Sequence, residues 1–247
     1  MLVAPIVMLF CASVIAGAQN QLAGGGSFVT LAALMFVGLD ARAANITSTV
    51  ALFPGQIAGG WMARHLAGGV ERLSFRALVG LSLIGGGAGA LLLLLTPTRV
   101  FERLVPWLVL FATAAFAGGT LRDRLDESAV RIGPRAAGAI QFCIAVYGGY
   151  FGGGIGILML AALTLAGMPV ANAGATKNVL AGAMNATAVA IFLASRQVRW
   201  LAAAVVCAGA LLGSVIGAHL IQRIDARLLR AAVILIGVLL TAALFRN

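Results

Sequence analysis

Acidic, metal-binding and disulfide-forming side chains are scarce in this chain. Its 247 residues include only 7 Asp and Glu, 2 His and 3 Cys, and no Asp or Glu occurs from 128 to 224. This scarcity argues against a carboxylate proton relay inside a membrane and against a metal site. The three cysteines lie in apolar runs, which excludes a disulfide framework. Since no Walker A motif or Ser-His-Asp pattern is present either, we expect neither an enzyme nor a bound cofactor.

Hydrophobic residues are instead abundant. They make up 62% of the chain, and charged residues make up only 10%, whereas a soluble domain has about a quarter of its residues charged. Several apolar runs reach the roughly 20 residues that cross a bilayer. The net charge of +10 comes from arginines in short loops, which set topology and contact anionic lipid. We therefore expect a multi-pass protein of the cytoplasmic (inner) membrane, with lipid and no nucleic acid as a partner.

Two glycine triplets interrupt these runs at matching places. The sequence LAALMFVG follows the first triplet and LAALTLAG follows the second, at an offset of 129 residues. The apolar segments directly after the triplets, 26–39 and 155–168, are too short to span a bilayer. Duplicated broken helices are typical of transporters, whose sites lie where the breaks meet. The six residues of the triplets are Gly24, Gly25, Gly26, Gly152, Gly153 and Gly154.

The duplication predicts the organisation of an all-α polytopic membrane protein. Half one covers 1–121, a charged linker covers 122–135, and half two covers 136–247. Each half contains a glycine-broken element followed by three transmembrane helices. The broken element can form a re-entrant hairpin or a full span with a half-helix. If both re-enter, each half crosses three times and the repeats are inverted, which is the arrangement we expect; the arginines of half two do not decide its sidedness.

The helices after the breaks carry matching polar residues. In half one these residues lie on one helical face, and in half two polar residues occupy corresponding positions. Such residues often join neighbouring membrane helices by hydrogen bonds. Because the pattern is duplicated next to a duplicated break, we interpret the two polar stripes as a substrate pathway and expect them to approach each other across a shared cavity. The residues are Asn45, Ser48, Thr49 and Gln56 in half one and Lys177, Asn178 and Asn185 in half two.

Lys177 is the only lysine in the chain. It lies inside an apolar run with no acidic residue nearby in the sequence, although a lysine close to the membrane surface can also extend its ammonium to the interface. An unpaired cation that faces a cavity is well placed to bind an anion. The glycine triplets favour the same ligand, because their N–H groups and the following helix start can face an anion.

These segments resemble the TauE/SafE family, often called sulfite exporters. The resemblance rests on Gly24–Gly26 with Ala44-Asn45-Ile46-Thr47-Ser48 and on Gly152–Gly154 with Gly174-Ala175-Thr176-Lys177-Asn178, and it extends over nearly the whole chain. It implies a permease that moves sulfite or an organosulfonate across the membrane, with Thr47 and Thr176 among the binding residues. Lys177 replaces a serine expected in the second motif, and prolines expected after both glycine clusters are missing.

Other functions remain open at this point. The chain is alternatively a permease for another small anion or for a metal cation, although the spans offer almost no cation ligands. A membrane scaffold that transports nothing would explain the apolar composition, but not the paired breaks and polar stripes. The sequence leaves open whether the protein is a monomer or a homodimer.

Overall fold

The chain forms ten α-helices in the residues that the computed structural model describes, which are 3–22, 25–70, 72–122, 132–220 and 226–246. Gly24 and most of the charged linker lie outside this part of the chain. No strand occurs in it, so the predicted all-helical class is confirmed. The helices are α1 Val3–Leu22, α2 Gly26–Phe36, α3 Ala41–Ala63, α4 Phe75–Leu95, α5 Thr98–Arg122, α6 Pro134–Tyr150, α7 Ile155–Leu165, α8 Val170–Ala194, α9 Trp200–Leu220 and α10 Ala226–Arg246.

Five of the described helices are long and apolar enough to cross a membrane. These helices are α1, α4, α5, α8 and α9. The helices α2 and α7 have only 11 residues each, because a glycine in the left-handed conformation directly precedes each of them. Gly25 has a φ of 83° and Gly154 a φ of 74°, values that a residue with a side chain rarely adopts. The helix breaks therefore fall at the glycine clusters.

The chain divides into two compact units, which we describe separately. Unit 1 contains Met1–Gly55, Thr96–Ala114 and Phe192–Asn247. Its main contact joins α1 to α9, where Gly209, Gly213 and Gly217 bring the α9 backbone directly against α1. Close approach of backbones through small residues is the usual way in which membrane helices pack. This glycine seam thus packs inside the fold.

Unit 2 contains Gln56–Leu95 and Ala115–Ile191. Its main contact joins α4 to α6, again through glycines. A side chain on Gly85 or Gly89 of α4 would collide with Ala145 or Val146 of α6, respectively. The largest buried apolar cluster of this unit includes Leu78, Ile144 and Met159.

Each unit combines helices from both halves of the sequence. In unit 1, α1 of half one packs on α9 of half two, and in unit 2, α6 of half two packs on α4 of half one. The pairs correspond, since both join the first helix of one half to the fourth helix of the other. The sequence halves 1–121 and 136–247 therefore do not coincide with the two compact units. That these halves are repeats of each other stays a prediction.

Candidate functional site

The second glycine break lies in unit 2, between the end of α6 and the start of α7. Gly152 and Gly154 both have a positive φ, of 79° and 74°. No side chain caps α7, and the N–H groups of Ile155 and Gly156 find no acceptor among the described residues. The first N–H groups of a helix carry partial positive charge and readily donate hydrogen bonds to anions. This helix start is therefore left open by the chain itself.

Lys177 points at this helix start. Its Nζ lies 3.4 Å from the position that a Cβ would take on Gly156, so the ammonium lies directly beside this glycine. The side chain is half-buried and forms no hydrogen bond or ion pair with any residue that the structure describes. A short connection, 166–169, joins α7 to α8, and the long lysine side chain extends from α8 to the beginning of α7. The local charge at the break is consequently positive and uncompensated.

The first glycine break, in unit 1, is closed by its own residues. The N–H of Gly26 donates to Oδ1 of Asn20 at 2.8 Å, so the start of α2 already has an acceptor. Ser48 occupies the position that corresponds to Lys177 at the offset of 129. Its Oγ lies 2.6 Å from Oγ1 of Thr30, and both residues are buried.

Thr47 and Thr176 anchor loops in corresponding ways. In unit 1, Thr47 accepts a hydrogen bond from the N–H of Arg199 at 3.2 Å. In unit 2, Thr176 accepts one from the N–H of Gly68 at 3.0 Å. Both threonines are fully buried, and each holds the loop before the fourth helix of the opposite half. The structure thus gives these two residues a backbone partner, and their predicted role in binding substrate stays a prediction.

Gln56 and Asn185 form a direct contact between α3 and α8 inside unit 2. Nδ2 of Asn185 donates to Oε1 of Gln56 at 2.6 Å, and the two residues are 129 positions apart. They are therefore corresponding residues of the two halves that meet each other. Close packing holds the helices together here, since the Gly60 Cβ position lies 3.2 Å from the carbonyl oxygen of Asn178.

The remaining predicted residues have varied surroundings. Oγ1 of Thr49 donates to the carbonyl oxygen of Asn45 at 2.9 Å within α3, and Asn45 is buried. Asn178 is half-buried. Thr49 and Asn45 belong to unit 1 and Asn178 to unit 2, so the predicted approach of the two polar stripes is seen only at Gln56 and Asn185. For the other members it stays a prediction.

The residues that close or open the two breaks are not among the predicted site residues. Asn20 and Thr30 are absent from them, although Asn20 is a polar residue at the end of an apolar run. Gly156 has no predicted role either. Unit 2 also contains a cavity of about 250 Å³ at the far end of α7, lined by residues that include Gly68, Gly167 and Asn172. Nδ2 of Asn172 donates to the carbonyl oxygen of Leu66 at 3.0 Å, so this cavity borders the anchored loop.

Comparison with known proteins gives the same assignment for nearly the whole chain. The family model for the sulfite exporter TauE/SafE matches residues 9–244. A "Probable membrane transporter protein" of Haemophilus influenzae is 26% identical over 240 residues, which cover 96% of this chain and 93% of that protein. The "Probable membrane transporter protein YfcA" of Escherichia coli K12 is 26% identical, with 98% and 91% covered. "Probable membrane transporter protein ORF9" of a Sinorhizobium species is 27% identical, with 98% and 93% covered.

No solved structure matches the chain. The family match and the span-length helices together place the protein in the cell membrane as a multi-pass protein. The family and these relatives are named as transporters, a class that is generally not enzymatic. The chain belongs to the TauE/SafE family of membrane transporters.

Proposed function

We propose that the protein transports a small sulfur-containing anion, sulfite or an organosulfonate, and that the second glycine break is its principal binding site. The observation that carries this proposal is the ammonium of Lys177 next to the open start of α7. Cation and helix start both favour a negative ligand, and an oxyanion offers several acceptors to the free N–H groups. The family's designation as sulfite exporters supports the choice of sulfur oxyanions.

The same observation disfavours a metal cation as the cargo. A cation that approached α7 would meet the Lys177 charge and the positive end of the helix without a carboxylate to offset them. A small anion of another element, in contrast, would meet the same donors. The substrate panel below varies the charge and shape of sulfur-containing ligands, from sulfate and sulfite to zwitterionic taurine.

We further propose that the two halves are inverted repeats and that the pathway passes between them. Three sets of contacts support a two-fold relation. The turns after α2 and α7 have the same hydrogen bonds, Gly38 to Met35 and Gly167 to Thr164, each at 2.9 Å. Thr47 and Thr176 bind reciprocal loops. Gln56 meets its own counterpart, Asn185, as expected for residues on a two-fold axis.

The test is transport by purified protein in liposomes. Labelled sulfite, sulfate, sulfoacetate and taurine are supplied outside, and uptake is compared with that of empty liposomes. We expect uptake of sulfite or an organosulfonate, and loss of this uptake in Lys177→Gln. Arg76→Gln is the matched control, since it removes an exposed cation of unit 2 away from the break. No uptake of any anion, or equal losses in both variants, would contradict the proposal.

A further inference from the structure

The Gln56–Asn185 pair leaves hydrogen-bonding capacity unused inside the protein. Asn185 is only 2% exposed, and its Oδ1 has no hydrogen-bond partner. Gln56 is half-buried, and among the described residues its Nε2 has no acceptor. A buried acceptor without a donor destabilises the folded state and calls for an explanation.

Whichever way the two amides are oriented, one hydrogen-bond donor and one acceptor remain unused. As placed, the bond from Asn185 to Gln56 leaves the oxygen of Asn185 and the nitrogen of Gln56. Turning both amides by 180° reverses the bond and leaves the nitrogen of Asn185 and the oxygen of Gln56. Turning only one would oppose two oxygens or two nitrogens. The pair therefore always presents one free donor and one free acceptor.

A ligand that satisfies both groups must itself accept and donate. A fully ionised oxyanion only accepts, so it would leave the amide oxygen without a donor. An oxyanion that keeps one hydroxyl group does both. We propose, on the basis of the proposed function, that Gln56 and Asn185 form a station for the singly protonated form of the transported oxyanion, with the class of hydrogen sulfite, HO–SO₂⁻, as the ligand.

The charges of unit 2 favour the same species. Lys177 is the only charged side chain in the interior of its described helices. The attraction of an ion to one cation grows in proportion to the ion's charge, but the free energy needed to remove it from water grows with the square of that charge. A monoanion is thus accommodated more easily than a dianion. The other charged or titratable side chains described in unit 2 lie at helix ends, in loops or on α6: Arg64, His65, Arg72, Arg76, Arg135, Cys143, Tyr147 and Tyr150.

The Lys177 ammonium and the Gln56–Asn185 pair form two successive binding sites and not a single one. Lys177 and Asn185 are eight residues apart on α8, which corresponds to about 12 Å along the helix axis. A small oxyanion would contact the ammonium first and the amides afterwards. The ammonium selects for negative charge, and the amides select for the hydroxyl group.

Methanesulfinate, CH₃–SO₂⁻, is a close probe for this station. It has the charge and pyramidal shape of hydrogen sulfite but a methyl group in place of the hydroxyl. We expect native protein in liposomes at pH 6 to take up sulfite at least about tenfold faster than methanesulfinate, because the analogue leaves a buried polar group unpaired. As the pH rises, sulfite uptake should fall with the protonated fraction of the substrate. Methanesulfinate keeps one charge over this range and controls for titration of the protein.

The variant that decides the matter is Gln56→Leu/Asn185→Leu. Replacing both amides by apolar groups avoids a new unpaired group and is often tolerated by a fold. The ratio of sulfite to methanesulfinate uptake should fall from at least about ten to near one. This ratio does not depend on the amount of folded protein. Gln56→Met, which changes only the half-buried member, should lower the ratio in the same direction.

Each outcome of the experiment has a separate meaning. A ratio that is unchanged in the double variant would show that the amides only join two helices or hold a water molecule, and would overturn the inference. Sulfite uptake that increases with pH would overturn it as well, because the dianion would then be the cargo. If both anions are taken up through Lys177 at equal rates by native protein, this inference fails and the proposed function stands. If neither is taken up, this inference fails, and the proposed function fails with it when sulfoacetate and taurine are not taken up either.

Discussion

The two glycine breaks have nearly the same backbone and opposite chemistry. In unit 1 the start of α2 is capped by Asn20, and Ser48 is paired with Thr30. In unit 2 the start of α7 has no such cap, and Lys177 stands at the position that corresponds to Ser48. The duplicated backbone thus provides two potential anion sites. The side chains close one of them and give the other a positive charge.

The difference lies in very few positions. Thr30 in half one corresponds to Met159 in half two, which is fully buried and cannot pair with a polar neighbour as the threonine does. Ser27 corresponds to Gly156, which lies directly beside the ammonium of Lys177. In the proposed repeat, the helix geometry is thus kept while side chains close one break and leave the other open, where we propose that the ligand binds.

We call the break at Gly152–Gly154 the open break and the break at Gly24–Gly26 the closed break. The largest effect should come from removing the Lys177 charge at the open break. In Lys177→Gln we expect anion affinity to fall about ten- to a hundredfold, or about 1.5–3 kcal/mol, which is the contribution of a hydrogen bond to a charged group. Lys177→Arg should keep part of the affinity, since the charge remains while its shape changes. Equilibrium binding of labelled sulfite in detergent measures both.

Two results would contradict this view of the open break. An unchanged affinity in Lys177→Gln would mean that the lysine only extends to the membrane surface. A comparable loss in Ser48→Ala, the variant at the corresponding position of the closed break, would mean that the two breaks do not differ in the way described.

A smaller effect should follow from filling the space next to the ammonium. In Gly156→Ala the new methyl group would lie 3.4 Å from the present position of Nζ, in van der Waals contact with the ammonium, and would cover part of the surface that the ammonium offers to a ligand at the helix start. We expect sulfite affinity to fall several-fold, while the helix itself gains up to about 1 kcal/mol because alanine is the better helix former. Binding and thermal unfolding should therefore move in opposite directions. Ser27→Ala, at the corresponding position, should leave binding unchanged.

The sequence alone was sufficient for the helices and for the two breaks. Apolar runs and glycine triplets are local features, and the predicted short segments after the triplets became α2 and α7. The contact between Gln56 and Asn185 followed from the duplication, because corresponding polar residues on equivalent helices can meet across a two-fold axis.

Other parts of the site could not be predicted. The partners Asn20 and Thr30 depend on how α2 folds back on α1 and α3, which no periodic pattern encodes. The pairing of α1 with α9 and of α4 with α6 joins distant parts of the chain. The glycine seams indicated that close packing would occur, but not which helix would be the partner.

A substitution at the closed break should change the stability of the protein and leave its affinity for sulfite unchanged. Asn20→Ala removes the acceptor of the Gly26 N–H, and the loss of such a cap typically destabilises a protein by about 1 kcal/mol. We expect a lower unfolding temperature in detergent and unchanged sulfite binding. Gln19→Leu is the neighbouring control, since Nε2 of Gln19 has no partner to lose. A loss of binding in Asn20→Ala with unchanged stability would assign the first break to the substrate site as well.

The smallest effect concerns the hydroxyl pair that takes the place of the cation in the closed break. Oγ1 of Thr30 and Oγ of Ser48 are 2.6 Å apart, and both residues are buried. Hydrogen bonds between membrane helices nevertheless stabilise a protein by only about 0.6 kcal/mol on average. The reason is that the same groups find partners in the unfolded state within the membrane. The measurement is a double-mutant cycle with Thr30→Val, Ser48→Ala and the combined variant, followed by unfolding in detergent. We expect a coupling energy of about 0.6 kcal/mol and unchanged sulfite affinity in all three. A coupling near zero would mean that the hydroxyls are not paired. An affinity loss in Ser48→Ala that Thr30→Val does not share would show that Ser48 binds the anion, as Lys177 is proposed to do, and the contrast between the two breaks would then be one of strength instead of kind.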